Sequence, residues 1–236
     1  MQPATERTTA FSVHWLADGW PDDVRRGIES FRRFGGADQQ HVVVDTMPGD
    51  PDPSIWPDDV EAVALRPSTG WAAARNAGLR RSTGSIVLVV DGSVEAIGDP
   101  FGPLAEALAD ESVGVAGPFG LITEDLREFE ESAGPDVDAI EAYLMAFRRD
   151  VLEGVGAFDE RFDFYRSADL ELSFRVKDQG YRSVAVPGMP LARHEHRRWS
   201  TTPEEERERL SKRNFNRFLE RFRGRFDLCV ARGAPN

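Results

Sequence analysis

Two apolar runs of the chain end in a carboxylate, His41-Val-Val-Val-Asp45 and Ile86-Val-Leu-Val-Val-Asp91. A strand that finishes in Asp delivers that group to the edge of an open α/β sheet where ligands collect, beyond the carboxyl ends of the strands. Taken singly, such an Asp more often closes the following turn. Between the two lies Gly70-Trp-Ala-Ala-Ala-Arg-Asn-Ala-Gly78, a helix start whose slim residues let backbone approach a ligand while Arg75 and Asn76 offer donors. The plain alternative is a helix packed tightly on the sheet. Asp169 opens the helical pattern Leu170, Leu172, Phe174 and Val176. A carboxylate there is kept ionised by the helix dipole and is able to accept a proton, with simple capping as the competing role. His194 and His196 sit beside Arg193, Arg197 and Arg198 at a strand end. That grouping suits an anion or a metal ion, although a lone His is ordinarily structural.

These residues need a scaffold, and short Val- and Ile-rich runs alternating with helical patterns supply one: a mostly parallel sheet covered by helices. Strands are predicted near residues 11–16, 41–45, 60–65, 86–91, 113–116, 143–148 and 183–187. The first helix opens at Pro21, carries Val24, Ile28 and Phe31 at helical spacing, and stops at Gly35-Gly36. Residues 47–59, with four prolines and four aspartates, read as a loop. Residues 122–138 read as an acidic, turn-rich, solvated insertion. After Pro203 a long helix is expected, with Thr202 as cap, Pro203 at its first position, Glu205 completing a capping box and Gly224 ending it. Its stripe of Leu210, Phe215, Phe218, Leu219, Phe222 and Phe226 is flanked by arginines. The chain thus divides into residues 1–200 and a basic amphipathic helix over 201–236 that packs on or extends the first part. A peripheral membrane contact is the alternative use of such a helix.

Composition narrows the classes. A hydrophobic share of 40% with 30% charged residues is that of a globular chain. No apolar run approaches the roughly 18 residues a membrane helix needs, and no signal segment is evident, so the expected compartment is the cytoplasm. Cys229 is the sole cysteine, which excludes an intrachain disulfide and a cysteine-based zinc site. The net charge of -12 argues against nucleic acid as a partner, although 12 of the 29 Lys and Arg fall within residues 193–232.

Taken in order, the segments resemble family 2 glycosyltransferases, in which a strand ending in Asp, a Gly-x-x-x-Ala-Arg-Asn-x-Gly helix and a strand ending in Asp-x-Asp follow one another. The likeness continues through Phe147-Arg-Arg-Asp-Val-Leu-Glu-Gly-Val-Gly-Ala-Phe-Asp-Glu160, then Ala168-Asp-Leu-Glu-Leu-Ser-Phe-Arg175 and Gly180-Tyr181, and spans roughly residues 11–196. The resemblance implies a GT-A fold, a nucleoside-diphosphate sugar as donor, an acceptor hydroxyl and inversion at the anomeric carbon. It implies that Asp45, Arg75, Asn76, Asp91 and Ser93 bind the donor. It implies further that Asp91 and His196 hold a divalent cation, Mn²⁺ or Mg²⁺, and that Asp169 is the general base.

The resemblance has gaps. The metal motif reads Asp91-Gly92-Ser93, so a hydroxyl stands where a second carboxylate is expected, and a hydroxyl is a poor ligand for a cation that prefers anionic oxygen. Glu95 is the nearest candidate to replace it. The acid that normally precedes the base is Ala168, and the small residue expected near Tyr143 is bulky. Two further readings therefore stay open: a catalytically silent GT-A domain that binds nucleotide or a protein partner, and a nucleotidyltransferase-like enzyme on the same sheet.

Overall fold

The computed structural model describes residues 10–35 and 39–230. Its centre is an eight-stranded sheet in the order β3-β2-β1-β4-β11-β6-β12-β9. In chain order the strands are β1 (Phe11–Ala17), β2 (Gln39–Asp45), β3 (Val60–Ala64), β4 (Ile86–Val90), β5 (Val94–Ala96), β6 (Val113–Gly117) and β7 (Gly120–Ile122). They continue as β8 (Glu130–Ser132), β9 (Asp136–Val137), β10 (Ala139–Ile140), β11 (Leu144–Arg148), β12 (Arg182–Ala185) and β13 (Leu191–Arg193). β1, β2, β3 and β4 are parallel, whereas β11 enters antiparallel between β4 and β6. The fold class read from the sequence, a mostly parallel sheet flanked by helices, is the one observed.

The strands of the first half are near-continuous apolar runs because both of their faces are covered. On one face α1 (Pro21–Gly35) buries Val24, Ile28 and Phe31, with Phe31 edge-on to Trp15 at 5.3 Å. The expected stop of this helix holds at Gly35, and Gly36 lies outside the described residues. On the other face α2 (Trp71–Leu79) lies so close to β1 that a Cβ on Gly78 would collide with the His14 ring. Only glycine permits that approach. α3 (Phe101–Leu108), α4 (Arg149–Val155) and α5 (Ala168–Asp178) complete the layers, followed by α6 (Arg197–Thr201) and α7 (Glu204–Phe222).

Three sequence-based expectations about the second half need correction. The stretch 122–138 is not a loose solvated insertion: β7 pairs with β8 and β10, Leu126 is buried, and buried Asp138 bonds Lys177 at 3.0 Å. The spacing missed this because the strands are only two or three residues long. Thr202 does not cap the long helix. It ends α6, its hydroxyl on the Arg198 carbonyl at 2.6 Å, and α7 begins at Glu204 after Pro203 without a side-chain cap. Phe226 leaves the apolar stripe for a short turn beyond α7 and is 55% exposed.

α7 turns its apolar stripe inward. Phe218 and Phe222 are fully buried with Phe174 of α5, at ring separations of 5.1 and 5.4 Å, and Phe129 joins them at 5.8 Å from Phe218. Asn214, also buried, donates to the carbonyls of Phe164 at 2.6 Å and Arg166 at 3.0 Å, in the loop that leads into α5. Any membrane contact of α7 is thereby left to its exposed arginines. Among the described residues, no helix is long and apolar enough to cross a membrane.

Phe218→Ala removes the ring at the centre of this third cluster. Urea denaturation is expected to show a loss of about 3–5 kcal/mol, the usual range for a buried Phe truncated to Ala. A loss below about 1 kcal/mol would mean that α7 is an appendage and not part of the core.

Candidate functional site

The parallel strands β1, β2 and β4 end level with one another, and the residues just beyond them define a cleft lined by Asp18, Arg75, Asp91, Ser93, His196, Arg197 and Arg198 among others. Asp91 follows β4 directly, its backbone N–H donating to the Tyr143 carbonyl at 3.0 Å. One carboxylate oxygen accepts from the Ser93 N–H at 2.9 Å and from the Ser93 hydroxyl at 2.5 Å. The other lies 3.5 Å from His196 Nε2. This meeting of residues far apart in sequence is produced by a two-stranded ribbon, β5 against β13, continued by the His194 N–H on the Ser93 carbonyl at 2.7 Å.

His196 is held on three sides. Its ring stacks on Tyr165 at 4.3 Å and meets the edge of Tyr143 at 5.8 Å, while Nδ1 accepts the Trp199 N–H at 3.2 Å and so caps α6. An Nδ1 that accepts carries no proton, so in the neutral imidazole Nε2 bears it and points it at Asp91. His194 faces away, bonded to Glu95 at 2.8 Å, and Glu95 also lies 3.6 Å from Arg26. Glu95 does not line the cleft and does not restore the missing carboxylate.

These residues fit a cation only in part. Asp91 retains one uncommitted oxygen, but His196 offers a lone pair only if its proton moves to Nδ1 and the cap of α6 is released. Among the described residues no group of three or more His, Cys, Asp or Glu side chains is arranged to hold a metal ion. A divalent cation here would take most of its ligands from a bound diphosphate and water.

Arg75 lies beneath the cleft, almost fully buried. Nη1 donates to the Val90 carbonyl at 3.0 Å, and the His14 ring nitrogen and carbonyl lie at 3.3 and 3.4 Å, while the guanidinium stands over the Trp71 ring at 5.3 Å. Burial lowers its pKa to about 10, Asp91 and Asp18 opposing the shift, so it remains a cation at neutral pH. Burial, and then Arg75, push His14 well below its usual value, so the ring stays neutral. Asp18 is pushed up by burial and pairs weakly with Arg198 at 3.8 Å.

Asp45 and Asn76 stand differently from Arg75. Asp45 closes β2, 7% exposed, and accepts the Met47 N–H at 2.8 Å; it is the next residue, Thr46, that lines the hollow adjoining the cleft, with Asp18, Thr69, Trp71 and Arg198. Asn76 points away from the cleft. Its amide nitrogen donates to the Phe158 carbonyl at 2.8 Å and its oxygen accepts the Phe158 N–H at 3.0 Å, pinning α2 to the loop after α4.

Across the cleft, a small pocket joins Asp91 and His196 to Asp169, with Trp71, Tyr143 and Tyr165 as its walls. Asp169 is the second residue of α5 and does not cap it; that place belongs to Ser167, in the left-handed conformation at φ 66°. Its two oxygens accept the N–H groups of Ala142 at 3.1 Å and Leu170 at 2.9 Å. Burial nevertheless raises its pKa, with those two N–H groups and Arg166 pulling it back. A second carboxyl, Glu141, lines the same pocket. Sequence reading missed both Asp18 and Glu141. Asp18 follows β1 just as Asp91 follows β4, so the strand-end signal applied to it as well, whereas nothing in the sequence pattern marks Glu141.

This arrangement is the fold of the GT-A glycosyltransferases. Among solved structures the chain is similar to GalNAc-T7 bound to UDP, GalNAc and Mn²⁺, with TM-score 0.71 and 16% identity over 91% of this chain and 48% of that one. It is also similar to the Pyrobaculum calidifontis mannosyltransferase PcManGT with GDP-Man and Mn²⁺, with TM-score 0.58 and 22% identity over 75% of this chain and 55% of that one. A third is S. aureus TarS 1-349 with UDP, with TM-score 0.58 and 15% identity over 94% and 75% of the two chains. At these identities the likeness is one of fold.

In sequence the chain is 32% identical over 157 residues to the O-antigen biosynthesis protein RfbC of Myxococcus xanthus. The match covers 65% of this chain and only 11% of RfbC, so the chain spans about a tenth of that relative. No family model matches the chain.

The placement of Asn76 gives a direct test. Asn76→Ala should cost about 1–3 kcal/mol, the usual cost of leaving buried backbone groups unpaired, as read by chemical denaturation. Its affinity for nucleoside diphosphate, measured by calorimetry, should stay within about twofold. A tenfold loss of affinity in a protein of unchanged stability would return Asn76 to the donor site.

Proposed function

We propose that the chain is a family 2-like glycosyltransferase that moves a sugar from a nucleoside-diphosphate donor to an acceptor hydroxyl with inversion. The observation that carries this reading is that Asp91 and Asp169 line one pocket in a GT-A fold. Its structural neighbours are complexes with UDP or GDP-Man, and its sequence relative is an O-antigen biosynthesis protein, which supports a nucleotide-sugar donor and a glycan product.

The nucleoside then occupies the hollow of Thr46, Thr69 and Trp71, and the diphosphate lies toward Asp91, Arg197 and Arg198. Arg75 supplies a buried positive field below, without being able to reach far from its carbonyl partners. A divalent cation held by Asp91 and the donor's phosphates would neutralise charge on the departing diphosphate. His196, as it stands, contributes a hydrogen bond from Nε2 toward that same charge. Asp169 takes the proton of the acceptor hydroxyl as its oxygen attacks the anomeric carbon from the face opposite the diphosphate, and the bond to the diphosphate breaks in the same displacement. Burial that raises the Asp169 pKa makes it a stronger base wherever it is ionised.

One observation favours the silent alternative, a GT-A domain that binds nucleotide or a partner without transfer: the Ser93 hydroxyl occupies an Asp91 oxygen instead of adding a ligand. The two readings part on Asp169. A thermal-shift panel of nucleoside diphosphates and nucleotide sugars, with and without Mn²⁺, identifies the donor, since a ligand bound only by the native state raises its melting temperature. With that donor, Asp169→Asn should keep donor affinity and lower turnover by roughly 10²-fold or more. It should also lose about 1 kcal/mol of stability, because the amide replaces one of two acceptors that face backbone N–H groups. Near-normal turnover in the variant would sink the mechanism.

A further inference from the structure

On the side of Asp169 away from Asp91, a cavity of about 470 Å³ opens between the β7–β8 hairpin, the start of α5 and α7. Its walls include the Phe129 and Phe215 rings. Glu141, Arg166 and Asp169 line both this cavity and the small pocket against Asp91, so they form the threshold between the two.

Glu141 is fixed by its backbone, whose N–H donates to the Phe119 carbonyl at 2.9 Å. The next N–H in the chain, that of Ala142, is the one that holds Asp169. A single turn of backbone between β10 and β11 therefore sets two carboxyls side by side. The other acids buried nearby are matched: Asp138 with Lys177, and Glu171 with Arg175 and Arg221. Among the described residues, the half-buried Glu141 side chain makes no hydrogen bond or ion pair of this kind. A half-buried carboxyl that opens onto a cavity without a protein partner keeps its hydrogen-bonding capacity available to a ligand.

We propose that Glu141 binds the acceptor hydroxyl next to the one that Asp169 deprotonates, so that the acceptor is a vicinal diol, a saccharide residue rather than an isolated alcohol. This rests on the reading of Asp169 as the base. Phe129 and Phe215 provide the apolar faces on which a pyranose ring stacks, and the site takes the place of the acid absent at Ala168. Burial, and then Asp169, raise the Glu141 pKa to about 7, against Arg193 and Arg166, with Glu131 adding to the rise. Tyr143 beside it is also pushed up, by burial and by Glu141. Near neutral pH the carboxyl thus both donates and accepts, which is what a hydroxyl partner requires.

The test reads binding as well as turnover. Methyl glycosides of common hexoses, and their single-deoxy forms, are titrated into the protein saturated with nucleoside diphosphate and followed by ligand-observed NMR. Wild type should bind at least one glycoside, its deoxy form lacking the neighbouring hydroxyl should bind about tenfold more weakly, and Glu141→Ala should lose a similar factor. Glu141→Gln should recover most of it, with melting temperatures and nucleotide affinity unchanged in both variants. Where transfer is measurable, the loss in Glu141→Ala should fall on the acceptor KM. Glycoside binding unchanged in Glu141→Ala, or absent in the wild type, overturns the proposal. Binding that depends on Glu141 in a protein without transfer leaves it standing and removes the transferase reading instead.

Discussion

A desolvated guanidinium organises the cleft. Arg75 is held by the carbonyls of His14, midway along β1, and Val90, at the end of β4, and a buried cation of this kind is tolerated only when its charge is answered. The answer comes from Asp91 and Asp18, which stand above it at the mouth of the same cleft. One buried charge therefore ties the middle of β1 to the end of β4 and draws two acids to the edge where a ligand would sit. Lysine would not serve as well, because its point charge cannot bond several acceptors in a plane while lying over the Trp71 ring.

Around that floor, the walls come from parts of the chain that reach the cleft by different routes. β11 runs antiparallel beside β4, and the residues before it carry Tyr143 and Glu141 to the pocket. β5 and β13 form a ribbon that brings His196 over Asp91. Asn214 of α7 fixes the loop before α5, where the left-handed Ser167 sets the direction from which Asp169 enters. A left-handed non-glycine residue is strained by about 1–2 kcal/mol and persists only when its surroundings hold it. The packing of Phe218 and Phe222 against α5 is thus part of what positions Asp169 in the small pocket.

The sequence made the scaffold and one diagonal of the site legible. Long apolar strands, the Gly70-to-Gly78 motif and the motif around Asp169 are local signals, readable because the residues that specify them are neighbours in the chain. Arg75, Asp91 and His196 were recognisable for the same reason, as was the strand-end position of Asp45, although the turn hands the hollow to Thr46. What could not be read depends on distant pairing. Asn76 has the chemistry of a ligand donor, and only the position of Phe158 shows that both halves of its amide are spent inside the fold. Glu141 acquires its setting from Phe119 and Asp169, neither of which its own segment announces. Thr202 satisfied every local rule for a cap and lost the role because His196, drawn in by the β5–β13 ribbon, had already started a separate helix.

The replacement of the second motif carboxylate has a physical consequence beyond a missing ligand. Ser93 donates both its N–H and its hydroxyl to the same Asp91 oxygen, so the turn after β4 is closed and half of the carboxylate's capacity is consumed. What faces the cleft is one oxygen under an imidazole that, by its own hydrogen bonds, carries a proton toward it. With one fewer negative charge at this edge, a diphosphate is less dependent on a cation to approach, and Arg197 and Arg198 are already at hand. Their partners are weak: Arg198 and Asp18 are 3.8 Å apart, and Arg197 shares exposed contacts with Asp23 and Glu195. Exposed pairs of this kind contribute about 0–1 kcal/mol and exchange readily for a bidentate phosphate. The altered motif thus leaves this edge of the cleft with one open carboxylate oxygen and two exchangeable guanidinium groups, Arg197 and Arg198, which follow directly on His196 in the chain.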